Sequence, residues 1–85
     1  MKKNFTINEG VGKRIKSVRA EMGLSQAKFG DLVGITWVYV SLLENGHRRP
    51  SRGLVLLISR ESGVSETWLR VGRGKRKLPE LAKAI

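Results

Sequence analysis

The stretch from residue 26 to residue 45 constrains the fold more than any other, because two short apolar-periodic segments meet there at a single glycine. Phe29, Leu32 and Val33 recur at i, i+3 and i+4, the spacing that places side chains on one face of a helix. Gly34 follows directly, and a glycine can adopt the left-handed conformation that ends a helix. The stretch therefore predicts two helices joined by a tight turn.

Capping residues and a second apolar stripe support this prediction. Ser25 and Thr36 stand just before the two predicted helices, where a hydroxyl oxygen can accept a hydrogen bond from a first-turn N–H. Val40 and Leu43 give the second helix its own inward stripe, and Asn45 followed by glycine ends it. Two helices of about two turns each cannot bury both faces in each other, so the remaining chain must cover them.

The stretch resembles the helix-turn-helix of the Xre/Cro family of phage-type repressors, and the resemblance extends from about residue 11 to residue 74. It implies that Gly34 is the turn glycine and that Gly30 is the tight helix contact, where the family usually has alanine. A glycine at position 30 permits close approach but weakens its helix by roughly 0.5–1 kcal/mol. The inward positions implied by the resemblance are Phe29, Val33, Ile35, Val40 and Leu43.

Apolar periodicity and capping residues predict three further helices around this pair. The first begins at an N-cap on Thr6 or Asn8. The fourth and fifth cover residues 51–62 and 66–71, and Trp68 of the fifth should fill the core. The inward face of the first helix comprises Val11, Ile15, Val18 and Met22.

The five predicted helices indicate an all-α fold class, and the resemblance implies a five-helix, lambda-repressor-like helix-turn-helix bundle with a short C-terminal tail. We expect an N-terminal arm over residues 1–8 and the helix-turn-helix domain over 9–72. A flexible basic linker and a short amphipathic segment then cover 73–85. Three further apolar residues of the fourth helix either pack on the fifth helix or the tail, or form a dimer surface: Leu54, Leu56 and Leu57.

The composition favours a polyanionic partner and excludes several kinds of site. The 85 residues carry 17 Lys and Arg against 7 Asp and Glu, a net charge of +10, and such a charge strengthens association with nucleic acid. A solvated basic surface is the alternative explanation. There is no cysteine and His47 is the only histidine, so no disulfide, thiolate site or histidine cluster can form. We therefore expect no metal, no cofactor and no enzymatic activity.

Apolar runs are also too short for a membrane segment. The longest one covers residues 54–58, whereas a spanning helix needs about 20 apolar residues. We therefore expect no membrane partner and a cytoplasmic, nucleoid-associated protein.

The resemblance also implies an ion pair between Arg19 and Glu44. Arg19 lies on the inward edge of the first helix, and Glu44 is near the end of the second helix of the motif. The pair would join the two helices, so we expect its role to be structural.

The resemblance implies double-stranded DNA as the partner, with the second helix of the motif, residues 36–45, in the major groove. This sequence departs from the family's pattern, because Trp37, Val38 and Leu42 stand where relatives usually carry polar base-reading side chains. Gln26 is the implied phosphate contact in the first turn of the preceding helix. The implied DNA-binding residues are Gln26, Lys28, Thr36, Trp37, Val38, Tyr39, Ser41, Leu42, Asn45, His47, Arg48 and Arg49.

Three interpretations of the apolar helix are open. Apolar contacts to thymine methyl groups, with Thr36 and Ser41 supplying the hydrogen bonds, would retain base reading. Shape readout with mostly phosphate contacts would give weak discrimination between sequences. In the third interpretation the helix presents a protein-binding patch, as in an antitoxin or a regulator's partner, and its members are Trp37, Val38, Tyr39 and Leu42.

We accordingly expect a sequence-specific transcription regulator of the repressor type. A homodimer on a palindromic operator is the expected assembly, since one helix reads only a short half-site. A protein-binding module with the same fold is one alternative. A non-specific nucleic-acid coat protein driven by net charge is another.

Overall fold

The computed structural model describes residues 7–77, with side chains from residue 10 onward. Five α-helices lie in this range: α1 (Ile7–Glu21), α2 (Gln26–Val33), α3 (Trp37–Glu44), α4 (Arg52–Ser62) and α5 (Glu66–Val71). The all-α, five-helix prediction is therefore confirmed for the described part of the chain.

The start of α1 differs from the expectation. The helix begins at Ile7, so Asn8 is a helical residue and its interpretation as an N-cap is wrong. The alternative cap, Thr6, and the amphipathic segment expected after Lys77 both lie outside the described residues.

Short-range sequence signals account for the boundaries of the later helices. Gly34 adopts φ 79° and donates its N–H to the Gly30 carbonyl, which ends α2 as a left-handed C-cap does. Each later helix starts behind a hydroxyl side chain in extended conformation that accepts a hydrogen bond from the N–H three residues on. These N-caps are Ser25, Thr36, Ser51 and Ser65.

The core lies where α1 packs against α3 and α5, and where α2 packs against α3 and α4. The predicted inward positions of α1 and of the helix-turn-helix are buried there, apart from Met22 and Ile35, which are half-buried against the cluster. The core residues of the described chain are Val11, Ile15, Val18, Phe29, Val33, Val40, Leu43, Val55, Ile58, Val64 and Leu69.

Two apolar residues are less buried than the sequence predicts. Leu32 is 39% exposed, because the buried side of α2 is set by Phe29, Gly30 and Val33. Successive residues of a helix are rotated by about 100° around its axis, and this places Leu32 roughly 100° away from the centre of that side. Trp68 packs against the edge of the core without being enclosed by it.

The leucines of α4 differ in burial, and their interpretation as a dimer surface stays a prediction. Leu54 and Leu57 pack against the core cluster. Leu56 is 45% exposed.

The segment after α5, predicted as a flexible linker, contacts the bundle through Arg76 and Lys77. The Ser65 N–H donates to the Arg76 carbonyl at 2.6 Å, and Val64 and Lys77 form an antiparallel bridge. The guanidinium of Arg76 lies 4.7 Å from the ring centroid of Trp68, a cation–π distance. It also donates to Ser17 Oγ at 2.8 Å and pairs with Glu21 of α1.

A second arginine joins α1 to the end of α5. Arg14 Nε donates to the Leu69 carbonyl at 2.9 Å, and its Nη2 donates to the Arg70 carbonyl at 3.0 Å. These carbonyls belong to the last turn of α5, where a cation is favourable. Burial lowers the pKa of Arg14 below its ordinary value, and the carbonyl contacts keep the charged guanidinium satisfied.

Candidate nucleic-acid interface

Helix α3 turns one side to the core and leaves the other toward solvent. Val40, Leu43 and Glu44 are buried, and these positions fix the inward side of the helix. Trp37 is 58% exposed and Val38 is 48% exposed, although both are apolar and the core cluster includes neither. The first turn of α3 is therefore free to contact a partner.

The other implied DNA-binding residues divide into exposed and half-buried ones. Tyr39 packs against the core and Leu42 is half-buried. Of the four residues assigned to the apolar patch, only Trp37 and Val38 are therefore exposed. The half-buried residues are Gln26, Tyr39, Ser41 and Leu42. The exposed residues are Lys28, Thr36, Trp37, Val38, Asn45, His47, Arg48 and Arg49.

The end of α3 is held by a bidentate ion pair. Arg19 Nε donates to Glu44 Oε2 at 2.6 Å, and Arg19 Nη2 donates to Oε1 at 3.1 Å. The Glu44 side chain is 3% exposed and that of Arg19 is 16% exposed. The hydrogen bond to Glu44 raises the pKa of Arg19 above its ordinary value, against the opposing effect of burial. Two parallel charge-assisted hydrogen bonds fix the orientation of α3 relative to α1.

Gln26 takes a position that the sequence did not reveal. Its Nε2 donates to Glu44 Oε1 at 3.0 Å, so the same carboxylate receives hydrogen bonds from α1 and from α2. The side chain expected to contact phosphate is therefore also a positioning group for α3. A phosphate contact would use the remaining amide N–H or the backbone N–H at the start of α2.

Glycines allow two close backbone approaches beside α3. A Cβ on Gly30 would lie 2.4 Å from the Ile35 carbonyl oxygen in the turn before α3. A Cβ on Gly12 would lie 2.2 Å from the Leu43 carbonyl oxygen, which the sequence did not indicate. No Cβ is tolerated at such distances without a shift of the backbone, so both glycines fix where α3 sits.

Exposed cations lie in the first turn of α2 and in the loop after α3. Lys28 is in the first turn of α2, where its N–H donates to Ser25 Oγ at 3.1 Å and where the helix carries no acidic residue. Arg48 and Arg49 follow α3 in an exposed loop, next to His47. Among the described side chains, no carboxylate forms an ion pair with Lys28, Arg48 or Arg49. A negatively charged partner would thus meet uncompensated positive charge in the first turn of α2 and in the loop after α3.

Asn45 and Ser41 are linked on the same surface. Asn45 Nδ2 donates to Ser41 Oγ at 3.3 Å. The Ser41 hydroxyl can still donate its own hydrogen, so it is available to an acceptor on a base edge.

The described residues hold no group of three or more acidic or histidine side chains that could bind a metal ion. Between residues 7 and 77, no helix has the length and apolar content needed to cross a bilayer.

Comparison with known proteins identifies the family of this fold. The helix-turn-helix family model matches residues 15–69. The propionyl-CoA carboxylase regulator of Cereibacter sphaeroides is 30% identical over 74 residues, which are 87% of this chain and 16% of that protein. The chain thus spans about a sixth of the length of this curated relative.

Two solved structures resemble the chain over most of their own length. The P22 c2 repressor, in complex with a synthetic operator, has a TM-score of 0.69 and 28% identity, covering 74% of this chain and 96% of the repressor. The restriction-modification controller protein C.AhdI of Aeromonas hydrophila has a TM-score of 0.66 and 28% identity, covering 72% of this chain and 92% of the controller protein. The lambda-repressor-like architecture is confirmed by these likenesses. The chain therefore belongs to the Xre/Cro-type helix-turn-helix family.

Proposed function

We propose that this chain binds double-stranded DNA through α3 and regulates transcription, as a repressor. The observation that carries the proposal is the exposed first turn of α3, together with the unpaired cations Lys28, Arg48 and Arg49 in the first turn of α2 and in the loop after α3. In this arrangement the helix lies in the major groove and the flanking cations contact the phosphates. Membership of the family and the likeness to an operator-bound repressor support the proposal.

The exposed residues favour base reading through thymine methyl groups. Trp37 and Val38 offer apolar surface where a methyl group would contact them. Thr36 and Ser41 each accept one hydrogen bond on the hydroxyl oxygen, from the Tyr39 N–H at 3.2 Å and from Asn45 Nδ2 at 3.3 Å, so each can still donate its hydrogen to a base edge. Sequence preference then centres on A·T pairs and is weaker than with a bidentate arginine or glutamine.

The protein-binding alternative rests on a smaller surface than the sequence suggests. Of its four residues, Tyr39 and Leu42 are half-buried, which leaves Trp37 and Val38. Two exposed residues make a poor anchor for a protein interface, which normally requires about 800 Å² from each partner. DNA binding is the function that the geometry supports better.

We further propose that two copies bind one palindromic operator, with half-site centres about 34 Å apart. One α3 reads only a few base pairs, so a second copy is needed for selectivity in a genome. Association with the nucleoid follows from the same proposal.

Selection of bound sequences from a random duplex pool tests the proposal. We expect an enriched palindrome with thymines at the positions nearest Val38. Affinity for this sequence and for a scrambled duplex is then measured by fluorescence anisotropy at several salt concentrations. The logarithm of the affinity should fall linearly with the logarithm of the salt concentration, and Lys28→Gln should reduce that slope by about two, one for each of the two copies on the operator.

A matched pair of valines tests the apolar contact. Val38→Thr replaces a methyl group by a hydroxyl of similar shape on α3, and Val71→Thr makes the same change at an exposed position of α5. We expect Val38→Thr to weaken binding to the selected duplex by about tenfold and to leave the scrambled duplex unaffected. Equal effects of the two variants on duplex binding would refute base reading by Val38. In the selection experiment, the absence of any enriched sequence would favour the protein-binding or coat-protein alternatives.

A further inference from the structure

A cavity of about 400 Å³ opens on a side of the bundle formed by the start of α1, the loop before α4, and the end of α5. Its apolar wall consists of Pro50 and the exposed Val71, above the core residues Val11 and Val55, which are 2% and 1% exposed. Its volume is in the range of small-molecule sites, which begin at roughly 300 Å³.

Three arginines surround this apolar wall: Arg49, Arg52 and Arg70. The only ion pair that any of them forms among the described residues is a loose contact of Arg52 with Glu66 at 3.8 Å, in which the Arg52 side chain is 81% exposed. Three cations around one concavity repel each other, and the concave shape concentrates their field. Such a site is complementary to an anion.

We propose that this cavity binds a small organic anion, with its carboxylate or phosphate on the arginines and an apolar body against the valines. The arginines of the site select a charged group on the ligand, and the apolar wall selects an apolar body. Guanidinium groups suit planar and tetrahedral oxyanions alike, and the wall of valine and proline side chains offers no hydrogen-bond partner to a polar body.

Arg49 connects the cavity to the DNA surface. It follows α3 in the loop that carries His47 and Arg48, and it also lines the cavity. A ligand that engages Arg49 removes one cation from the phosphate-facing loop, so ligand and DNA weaken each other's binding. This coupling rests on the proposed function, whereas binding of the anion to the cavity does not.

The first experiment tests the cavity alone. Anilinonaphthalene sulfonate, an organic anion with an aromatic body, is titrated into the full chain and its fluorescence is followed. We expect one saturable site, weakened about tenfold by Arg70→Gln and unchanged by the matched control Arg60→Gln, which alters an arginine in the last turn of α4. Val71→Ser should weaken the probe by about threefold. Equal affinity for the Arg70→Gln and Arg60→Gln proteins would overturn the proposal.

Competition then defines the ligand. Hexanoate, hexyl phosphate and inorganic phosphate are each added to the probe complex. Displacement by hexanoate assigns a carboxylate ligand, and displacement by hexyl phosphate assigns a phosphate ester. If inorganic phosphate displaces the probe as well as hexyl phosphate does, the apolar wall contributes nothing and the proposal is wrong. Loss of probe binding as protein concentration rises would show that a second copy covers the cavity, which also overturns it.

The second experiment tests the coupling with duplex DNA. Saturating probe should weaken duplex binding by about fivefold in the unmodified chain and should have no effect in Arg49→Gln. Without probe, Arg70→Gln should bind duplex as Arg60→Gln does. A larger loss in Arg70→Gln would assign the cavity to the DNA backbone and overturn the ligand proposal. Probe binding without any duplex binding would leave the cavity proposal intact and refute the proposed function.

Discussion

Replacing Gly12 by alanine tests whether close backbone contact positions α3. The added Cβ would lie 2.2 Å from the Leu43 carbonyl oxygen and 3.0 Å from that of Glu44. Ordinary contact begins at 3.4 Å, so α1 and the end of α3 would have to separate by 3.4 − 2.2 = 1.2 Å. The atoms that the added Cβ would meet belong to the backbone of Leu43 and Glu44. A change of side-chain rotamer therefore cannot relieve the clash.

The magnitude follows from two opposing effects. Alanine in a helix interior is better than glycine by about 0.5–1 kcal/mol. Overpacking a close contact costs about 1–3 kcal/mol, and the upper end applies where backbone must move. The Leu43 carbonyl also accepts the Gly46 N–H at 3.2 Å, so the shift strains the cap of α3. We expect Gly12→Ala to lower the free energy of unfolding by about 2–2.5 kcal/mol, or roughly 8–20 °C in Tm.

Gly53→Ala is the matched control, because it is the same change in another helix. The nearest atom to a Cβ on Gly53 is Ser51 Oγ at 4.0 Å, so only the gain in helix propensity applies and the free energy should rise by about 0.5 kcal/mol. Urea unfolding followed by far-UV circular dichroism measures both variants. If Gly12→Ala were as stable as Gly53→Ala, the close approach of α1 to α3 would not exist and the geometry of the recognition surface would be wrong.

Two further substitutions test the contacts that hold α3 and the C-terminal segment. Glu44→Ala leaves Arg19 without its buried partner, so we expect a loss of about 3 kcal/mol in urea unfolding; a loss under about 1 kcal/mol would show that the pair is solvent-screened. Arg76→Ala removes the cation over Trp68 and the bond to Ser17, so we expect a loss of about 1 kcal/mol and a red-shifted Trp68 emission in a Trp37→Phe background. An unchanged spectrum would contradict the folded-back segment.

Local signals made most of the fold predictable from the sequence. An N-cap such as Thr36 acts within three residues, and a turn glycine such as Gly34 acts within four, so both can be identified without knowing what packs nearby. The buried stripe of α1 was predictable for the same reason, because a period near 3.6 residues identifies one helical face.

Apart from the start of α1, the misses depend on contacts between helices or chain segments that no periodic pattern shows. Leu32 has the right spacing for burial, but which side of α2 is covered depends on where α3 approaches Gly30. Arg76 is separated from its ion-pair partner Glu21 by 55 positions in the sequence, and no local sequence pattern predicts such a pair. Gln26 was identified as a site residue, but its bond to Glu44 was not, because a hydrogen bond across 18 residues leaves no periodic signal.

The position of α3 and the chemistry of its outer face are set by different residues. Its position depends on Gly12 and Gly30 at the backbone and on the Glu44 carboxylate, none of which faces outward. Trp37 and Val38 contribute little to this support, since exposed substitutions usually change stability by less than about 0.5 kcal/mol. The fold therefore does not explain a tryptophan that is 58% exposed, and an exposed apolar side chain reduces solubility. The explanation must come from what contacts that face, which is why Val38→Thr tests the function without testing the fold.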